Sequence, residues 1–214
     1  HTLTPEPGLN PPSTPSTAAQ RRVLVTGATS GIGAGIAAAF LGDGAEVVVT
    51  GATAPEVERA RQEPVLAAAR AEVLDVRDAD AVAAFVGGLG EIDVVVNCAG
   101  VIRRGAEHEP AAFADTVDIN LNGTMRVCAA ARSWLKARGG CIVNNASMLS
   151  FFGGGLVPGY SASKGGVAQL TKSLAIAYAA DGIRVNAVAP GWIATPLTQA
   201  LQDDPARSQP ILSR

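Results

Sequence analysis

A tyrosine and a lysine four residues apart carry much of the potential chemistry in this sequence. Tyr160 and Lys164 begin a segment with helical spacing, so their side chains share one helix face. A nearby ammonium group favours the phenolate and lowers the pKa of the phenol from its reference value of about 10. Tyr160 is therefore a candidate general acid/base. The alternative is a packed tyrosine beside a solvated lysine on a surface helix.

Two further features are expected at the same place as this pair. Ser147 follows the apolar run that ends in Asn144 and Asn145, which puts it at the carboxyl edge of a parallel sheet, where α/β proteins bind ligands. The turn TGATSGIG at 26–33 would lie at that edge too, and its glycines let backbone amides approach a pyrophosphate. Its spacing is G-x-x-x-G-x-G, and a glycine-rich turn alone is weak evidence.

The elements that must position these residues alternate along the chain. Apolar runs typical of buried strands lie at 23–26, 46–50, 72–74, 92–97, 141–145 and 184–189. Segments with helical spacing lie at 31–41, 55–70, 78–88, 110–138 (as two helices) and 160–180. Valine runs such as 94–96 lack polar alternation, which indicates a parallel sheet covered by helices on both faces. We predict a doubly wound, Rossmann-like α/β fold.

Composition restricts the partners and the compartment. The 214 residues suit one domain, and 48% hydrophobic residues with a net charge of -2 provide no basic surface for nucleic acid or an anionic membrane. No apolar run approaches the roughly 18 residues of a membrane span. Three scattered cysteines and two histidines assemble no metal site and favour a reducing, cytoplasmic setting. The proline-rich residues 1–20 are predicted to form a flexible arm before a single domain at 21–214.

The motifs together resemble the short-chain dehydrogenase/reductase family from about Arg21 to the end of the chain. They are, in order, TGATSGIG at 26–33, NCAG at 97–100, Asn120 in a helix, Ser147, YSASK at 160–164 and PG at 190–191. The resemblance implies hydride transfer between a nicotinamide cofactor and a secondary alcohol or ketone. It implies that Tyr160 exchanges a proton with the substrate oxygen and that Ser147 orients this oxygen. Lys164 would lower the Tyr160 pKa and bind the nicotinamide ribose, and Asn120 would hold a helix distortion and a relay water.

The resemblance also implies cofactor contacts in addition to Tyr160 and Lys164. They are Gly27, Ser30, Gly31, Ile32 and Gly33 at the pyrophosphate, Asp75 and Val76 at the adenine, Asn97, Ala99 and Gly100 at the adenosine ribose, and Pro190, Gly191, Ile193 and Thr195 at the nicotinamide. Asp75 has an alternative role near the start of the helix that follows Asp78.

The choice between NAD and NADP depends on the end of the second strand. The residues TGAT at 50–53 include neither the family's acidic residue for the ribose hydroxyls nor its basic residue for a 2′-phosphate. Ser30, Gly51 and Ala52 are not cations, so a dianionic phosphate has no evident partner. We therefore expect NAD.

The substrate side is predicted from aromatic and basic residues around Tyr160. The candidates are Arg103, Met148, Phe152 and Trp192. Segments 101–104, 146–151, 157–160 and 198–201 resemble the branch of the family that acts on gluconate-type sugar acids, and Arg103 or Arg104 would pair the carboxylate, although both suit a solvated loop equally well. The alternatives are a 3-oxoacyl carrier or general ketone reductase and, in another class, a non-catalytic cofactor sensor or scaffold.

The resemblance carries two expectations for the whole molecule. Family members are usually tetramers or dimers formed through the long helices, here at about 115–138 and 160–180, so a homo-oligomer is expected. Typical members continue beyond Arg214 with a further helix and a last strand, so we expect this chain to be short at its C-terminus and to lack that strand.

Overall fold

A computed structural model describes residues 20–213, and the arm predicted for residues 1–20 lies outside this part except for Gln20. Six strands are present: β1 Arg22–Thr26, β2 Glu46–Gly51, β3 Arg70–Val73, β4 Val94–Asn97, β5 Cys141–Asn145 and β6 Arg184–Val188. They form one sheet in the order β3-β2-β1-β4-β5-β6, with every neighbouring pair parallel. The predicted doubly wound fold is confirmed.

Helices connect the strands. They are α1 Gly31–Gly42, α2 Ala54–Gln62, α3 Ala79–Gly88, α4 Pro110–Val117, α5 Gly123–Arg138, α6 Pro158–Tyr178, α7 Gln199–Gln202 and α8 Pro205–Leu212. The predicted division of 110–138 into two helices is confirmed, and a π-helical turn at Asp118–Asn122 joins them. No helix within the described range has the length and apolar character needed to span a membrane.

The largest difference from the predicted element boundaries is at the end of α2. The helix predicted over 55–70 ends at Gln62, because the residue before Pro64 is driven out of helical geometry and Glu63 adopts an extended ψ of 119°. β3 then begins at Arg70, two residues before the predicted strand. The sequence patterns did not predict α7 and α8.

The central strands β1, β2 and β4 are buried on both faces, which explains their near-continuous valine runs. On one face, Leu24 and Val95 pack with residues of α3, α5 and α6. On the other face, Val25 and Val96 pack with residues of α1 and α2. The sheet is therefore the shared middle layer of the two halves of the core.

The strand order reverses between β1 and β4. From β1 the chain runs outward to β2 and β3 and then returns to β4 on the opposite side of β1. A crevice forms where connections leave two neighbouring strands in opposite directions, and ligands of α/β proteins bind there. At this point a Cβ on Gly27, whose φ is +62°, would lie 2.4 Å from Ala99 Cα. Glycine thus permits the turn after β1 to touch the segment after β4.

Candidate active site

A cavity of about 310 Å³ opens at the carboxyl edge of the sheet and contains both Ser147 and Tyr160. Its walls come from the end of β5, the starts of α1 and α6, α7 and the segments after β4, β5 and β6. The lining residues are Ile32, Ile102, Arg104, Asn145, Ala146, Ser147, Met148, Leu149, Tyr160, Pro190, Gly191, Trp192, Ile193, Thr195, Thr198 and Leu201.

Ser147 and Tyr160 are brought together by β5 and α6. Ser147 follows directly on β5 and is itself the N-cap of a short 3₁₀ turn, in which its Oγ accepts a hydrogen bond from Leu149 N at 3.1 Å. Burial raises the pKa of Tyr160 above its ordinary value, while a hydrogen bond with the Ser147 side chain acts in the opposite direction. The expected lowering of the Tyr160 pKa is therefore wrong, because desolvation of the phenol outweighs its hydrogen bond with Ser147.

Lys164 lies under the tyrosine ring. Its Nζ is 5.6 Å from the Tyr160 ring centroid and donates a hydrogen bond to the carbonyl oxygen of Asn145. Only 3% of its surface is exposed, and burial lowers the pKa of Lys164 from 10.5 to about 8. The lysine is therefore held at a fixed place beside the phenol, with a pKa well below that of an exposed lysine.

Asn120 lies in the π-helical turn between α4 and α5, at the place where a helix distortion was expected. The side chain is fully buried, its Oδ1 accepts from Val101 N at 2.8 Å, and its Nδ2 donates to Val101 O at 2.9 Å and to Ser163 Oγ at 3.0 Å. The extra residue of a π turn shifts the backbone locally. Asn120 thus ties the segment after β4 to the helix that carries Tyr160 and Lys164.

The glycine turn fits a pyrophosphate. Gly31 has a φ of +59°, and a Cβ on Gly33 would lie 2.5 Å from Gly27 O and 2.8 Å from Ala28 Cα. Ser30 is the N-cap of α1, and its side chain makes no capping hydrogen bond. The helix N-terminus therefore approaches the crevice with small residues around it, as binding of an anionic phosphate requires.

The predicted nicotinamide contacts and the glycine turn meet at the cavity. Ile32, Pro190, Gly191 and Ile193 line it, and Thr195 lines it beside Gly31, where a Cβ would lie 3.5 Å from Thr195 Cβ. One of the predicted ribose-side residues lies close to Asn120 and Lys164: a Cβ on Gly100 would lie 3.2 Å from Asn120 Oδ1 and 3.7 Å from Lys164 Nζ. The turn after β1 packs against Ala99.

Several predicted adenosine contacts already have protein partners. Asp75 pairs with Arg77 at 2.6 Å, and this hydrogen-bonded pair lowers the pKa of Asp75. Capping of the next helix, the alternative role considered for Asp75, is performed by Asp78, whose side chain accepts a hydrogen bond from Ala81 N. Val76 is buried, and Arg126 donates to its carbonyl oxygen at 3.2 Å.

Two buried oxygens near the crevice have no partner within the described part of the chain. They are Asn97 Oδ1, at the end of β4, and Asn145 Oδ1, at the end of β5. Asn97 uses its Nδ2 to donate to Asn144 Oδ1 at 2.9 Å. Buried polar atoms are normally satisfied, so these two oxygens are acceptors available to a bound ligand. Together with the glycine turn, they fit a dinucleotide.

The two adjacent arginines after β4 take different directions. Arg104 lines the cavity. Arg103, the one preferred from sequence, lies outside the lining: its guanidinium pairs with Asp115 at 2.6 Å and donates to Thr116 Oγ1 at 3.1 Å. Ionic contacts within the fold thus hold Arg103 away from the site.

The other predicted substrate residues also divide. Met148 and Trp192 line the cavity, whereas Phe152 does not and is 64% exposed. Sequence reasoning missed Ile102, Asn145, Leu149, Thr198 and Leu201 as lining residues. Ile102 is adjacent to Arg103, and Leu149 is adjacent to Met148. Both neighbours were predicted as substrate residues, so adjacency in the sequence was a usable signal.

The carboxylate of a glutamate in α2 lies beside the residues that follow β2. Glu56 Oε2 accepts hydrogen bonds from Ala52 N at 2.8 Å and Thr53 N at 3.2 Å. Thr53 and Glu56 form a capping box at the start of α2. The spacing T-x-x-E was the sequence signal for this carboxylate.

Comparisons with known proteins agree with this geometry. A model of the short chain dehydrogenase family matches residues 21–206. A 2-dehydro-3-deoxy-D-gluconate 5-dehydrogenase of Bacillus subtilis is 42% identical over 91% of this chain and 79% of its own length. A cis-4-hydroxycyclohexanecarboxylate dehydrogenase of Sinomonas cyclohexanicum is 41% identical over 87% of this chain and 78% of its own.

A solved structure has the same fold. It is a gluconate 5-dehydrogenase from Burkholderia cenocepacia in complex with NADP and tartrate. This neighbour is 34% identical, has a TM-score of 0.81, and is matched over 90% of this chain and 79% of its own.

These matches define the class: the chain belongs to the short-chain dehydrogenase family. It is an oxidoreductase of the nicotinamide-dependent type, as its resemblance to the family predicted. The alternative of a non-catalytic sensor or scaffold is set aside.

Proposed function

We propose that this enzyme oxidises a secondary hydroxyl group of a gluconate-type sugar acid, or reduces the corresponding ketone. The observation that carries the proposal is the presence of Arg104 in the cavity that contains Ser147 and Tyr160. No carboxylate of the described residues pairs with its guanidinium. A substrate with its carbinol at Tyr160 can thus present a carboxylate to a bidentate donor.

The names of the relatives support an acid substrate. One is named for 2-dehydro-3-deoxy-D-gluconate and another for cis-4-hydroxycyclohexanecarboxylate, and each of these compounds combines a hydroxyl group with a carboxylate. The solved neighbour was crystallised with tartrate, another hydroxy acid. Another solved neighbour, from Agrobacterium tumefaciens, is named as a 2-deoxy-D-gluconate 3-dehydrogenase and is 40% identical.

In the proposed reaction each site residue has a separate task. Tyr160 takes the proton from the substrate hydroxyl or returns it to the ketone oxygen, and Ser147 donates a hydrogen bond that orients this oxygen. Lys164 binds the nicotinamide ribose beside the phenol, and Asn120 holds the distorted helix behind it. The nicotinamide ring, when bound, supplies or accepts the hydride.

The test compares Arg104→Ala with Arg103→Ala as its matched control. We expect Arg104→Ala to raise the KM for gluconate-type acids by about tenfold or more, since a hydrogen bond to a charged group contributes roughly 1.5–3 kcal/mol. The KM for an uncharged sugar alcohol should stay the same, and Arg103→Ala should resemble the wild type for both substrates. An unchanged KM for acids in Arg104→Ala would refute carboxylate recognition. Faster turnover of 3-oxoacyl thioesters or simple ketones would favour the reductase alternative.

We further propose NAD as the cofactor. The Glu56 carboxylate lies beyond the end of β2 and accepts hydrogen bonds from the backbone amides of Ala52 and Thr53. It puts negative charge at the end of β2, where a 2′-phosphate would need a cation. The solved neighbour with NADP argues in the other direction. Michaelis constants for both cofactors decide the matter, and a marked preference for NADP would overturn this part of the proposal.

The assembly and the setting of the enzyme are also proposed. Ile176 on α6 is 81% exposed, which supports a homo-oligomer formed through the long helices. The three cysteines of the sequence are free thiols, which supports a cytoplasmic setting. Light scattering of the purified protein tests the oligomer, and a monomer at micromolar concentration would contradict it.

A further inference from the structure

A buried glutamate joins the loop after β4 to the first turn of α6. Glu107 has 1% of its surface exposed. Its Oε1 accepts a hydrogen bond from Arg103 N at 2.6 Å, and its Oε2 accepts one from Tyr160 N at 2.7 Å. Both carboxylate oxygens thus have backbone donors. Hydrogen bonds of this charge-assisted kind are short and strong.

Glu107 takes the place of a local cap on the catalytic helix. α6 begins at Pro158, and the N-cap residue is Val157, whose side chain has no oxygen to accept an amide. The carboxylate from the loop satisfies the Tyr160 amide instead, and its negative charge is favourable at a helix N-terminus. The main chain of Tyr160 is therefore held by a residue 53 positions away in the sequence.

The same loop carries the arginine that faces the cavity. Arg104 lies inside the hydrogen-bonded loop that Glu107 closes through Arg103 N. Gly105 N donates to Leu156 O at 2.7 Å, and a ring nitrogen of His108 lies 2.9 Å from Gly155 O. The loop is thus fastened to the segment before α6, and Glu107 is the buried part of this fastening.

We propose that Glu107 is a positioning residue that holds Arg104 and Tyr160 at the separation that a hydroxy acid requires. It does not reach the reacting atoms. It acts by joining the loop that recognises the carboxylate to the helix that presents the phenol. This inference rests on the proposed function, in which Arg104 binds the carboxylate and Tyr160 exchanges the proton.

The charge of Glu107 provides a second readout. Its negative charge raises the pKa of Tyr160, adding to the larger effect of burial and opposing that of Ser147. The other charged or titratable groups near the phenol are Lys164 below the ring and Arg104 in the same cavity. Removing the Glu107 charge lowers the pKa of Tyr160, so the acidic limb of the oxidation rate should move to lower pH.

The experiment compares Glu107→Gln with Glu109→Gln, an exposed glutamate of the same loop. The glutamine side chain has a single acceptor oxygen, so it can accept a hydrogen bond from only one of the two backbone N–H groups, that of Arg103 or that of Tyr160. We expect kcat to fall about tenfold or more, because small misplacements of a reacting group cost up to ~10²-fold. The acidic limb should move to lower pH and the dissociation constant of the cofactor should stay the same. Glu109→Gln should match the wild type in all three measurements.

Two results would overturn the inference. One is a Glu107→Gln enzyme with the kcat and pH profile of the wild type. The other is a loss of activity matched by an equal loss of cofactor binding, which would indicate general damage. A wild-type enzyme that does not distinguish acids from uncharged analogues would instead contradict the proposed function, and the effect on kcat with any accepted substrate would still test Glu107.

A second variant decides the question if Glu107→Gln does not fold. A Cβ on Gly159 would lie 3.3 Å from Glu107 Oε2 and also 3.3 Å from Phe113 of α4, so Gly159→Ala presses on the carboxylate and on α4 while it keeps the charge. Gly165→Ala on the same helix is the control, because a Cβ there meets only Ser150 O at 3.8 Å. We expect a several-fold lower kcat with an unshifted pH limb in Gly159→Ala alone. Equal kcat values in both variants would overturn the inference.

Discussion

Burial controls the tyrosine–lysine pair at the scale of single residues. The helical spacing of Tyr160 and Lys164 predicted that the ammonium would lower the pKa of the phenol. Desolvation instead raises the pKa of Tyr160, and it lowers the pKa of Lys164 to about 8. Spacing determined that the two groups meet, whereas the depth of the pocket determined how each of them titrates.

Removal of the phenol hydroxyl is the most direct test of the proposed chemistry. Tyr160→Phe keeps the ring and its packing but has no proton to exchange. We expect turnover to fall by roughly 10²–10⁴-fold, the usual contribution of a positioned acid or base. Cofactor affinity, measured by fluorescence titration, should remain nearly unchanged. Wild-type turnover in this variant would refute the role of Tyr160.

The buried lysine is expected to cost stability. Its pKa falls from 10.5 in the unfolded chain to about 8 in the fold, so the unfolded state binds more protons between these pH values and stability rises with pH across that window. At pH values below about 8, the buried ammonium destabilises the fold by ~3 kcal/mol. Lys164→Met should therefore raise the melting temperature at pH 7 by several degrees. It should also abolish turnover, because it removes the ammonium group proposed to bind the nicotinamide ribose.

The pH dependence separates this effect from improved packing. The gain in melting temperature should shrink as the pH rises from 8 toward 10.5. Lys172→Met, on the exposed side of the same helix, should change the melting temperature little. A Lys164→Met protein that is less stable than the wild type at pH 7 would contradict the expected cost.

Individual elements were predictable where their signals are local. Apolar runs identified the parallel strands, and all six are present. The helix over 55–70 was predicted too long because Pro64 was passed over, although its effect on Glu63 is a local steric one. The π-helical turn around Asn120 has no comparable signal in its own sequence and was expected from the family resemblance.

The turn between β1 and α1 gives a prediction at this scale. A Cβ on Gly33 would meet backbone atoms of Gly27 and Ala28 at 2.5 and 2.8 Å, which cannot move without opening the turn. We expect Gly33→Ala to weaken cofactor binding at least ~10-fold, by losing the close approach of the helix N-terminus to the pyrophosphate. Gly35→Ala should bind the cofactor normally and be more stable by about 0.5–1 kcal/mol. Calorimetric titration of both variants is the measurement, and normal affinity in Gly33→Ala would exclude this turn from the binding site.

At the scale of the whole molecule, we propose that residues 21–214 act as one domain, because the two halves of the core share one sheet. A carboxylate fastens the amino edge of that sheet. Asp93 accepts from Arg22 N and from Arg138 Nε, each at 2.8 Å, and so connects β1, the start of β4 and the end of α5. Burial acts to raise the pKa of Asp93, but these donors outweigh it and the pKa is lowered.

Acid unfolding should report this contact. A lowered folded pKa means that Asp93 stabilises the fold at pH values above its unfolded pKa of 3.8, and that this contribution is lost as the pH falls through the folded pKa. Asp93→Asn should cost about 1 kcal/mol at pH 7 and progressively less below pH 3.8. Glu91→Gln is the control, since its longer ion pairs are exposed. A pH-independent loss in Asp93→Asn would contradict the ionic contribution.

The sequence alone determined the order of strands and helices, the glycine turn and the identities of Asn120, Ser147, Tyr160 and Lys164. The elements, the glycine turn, Ser147 and the Tyr160–Lys164 pair follow from local periodicity, turn chemistry and the positions of strand ends, whereas Asn120 follows from the resemblance to the family. Only the tertiary structure decided that Arg104 faces the cavity while Arg103 pairs with Asp115, and that Glu107 caps the catalytic helix. These outcomes depend on contacts between residues far apart in the chain, and burial, which sets their energies, exists only once the chain has folded.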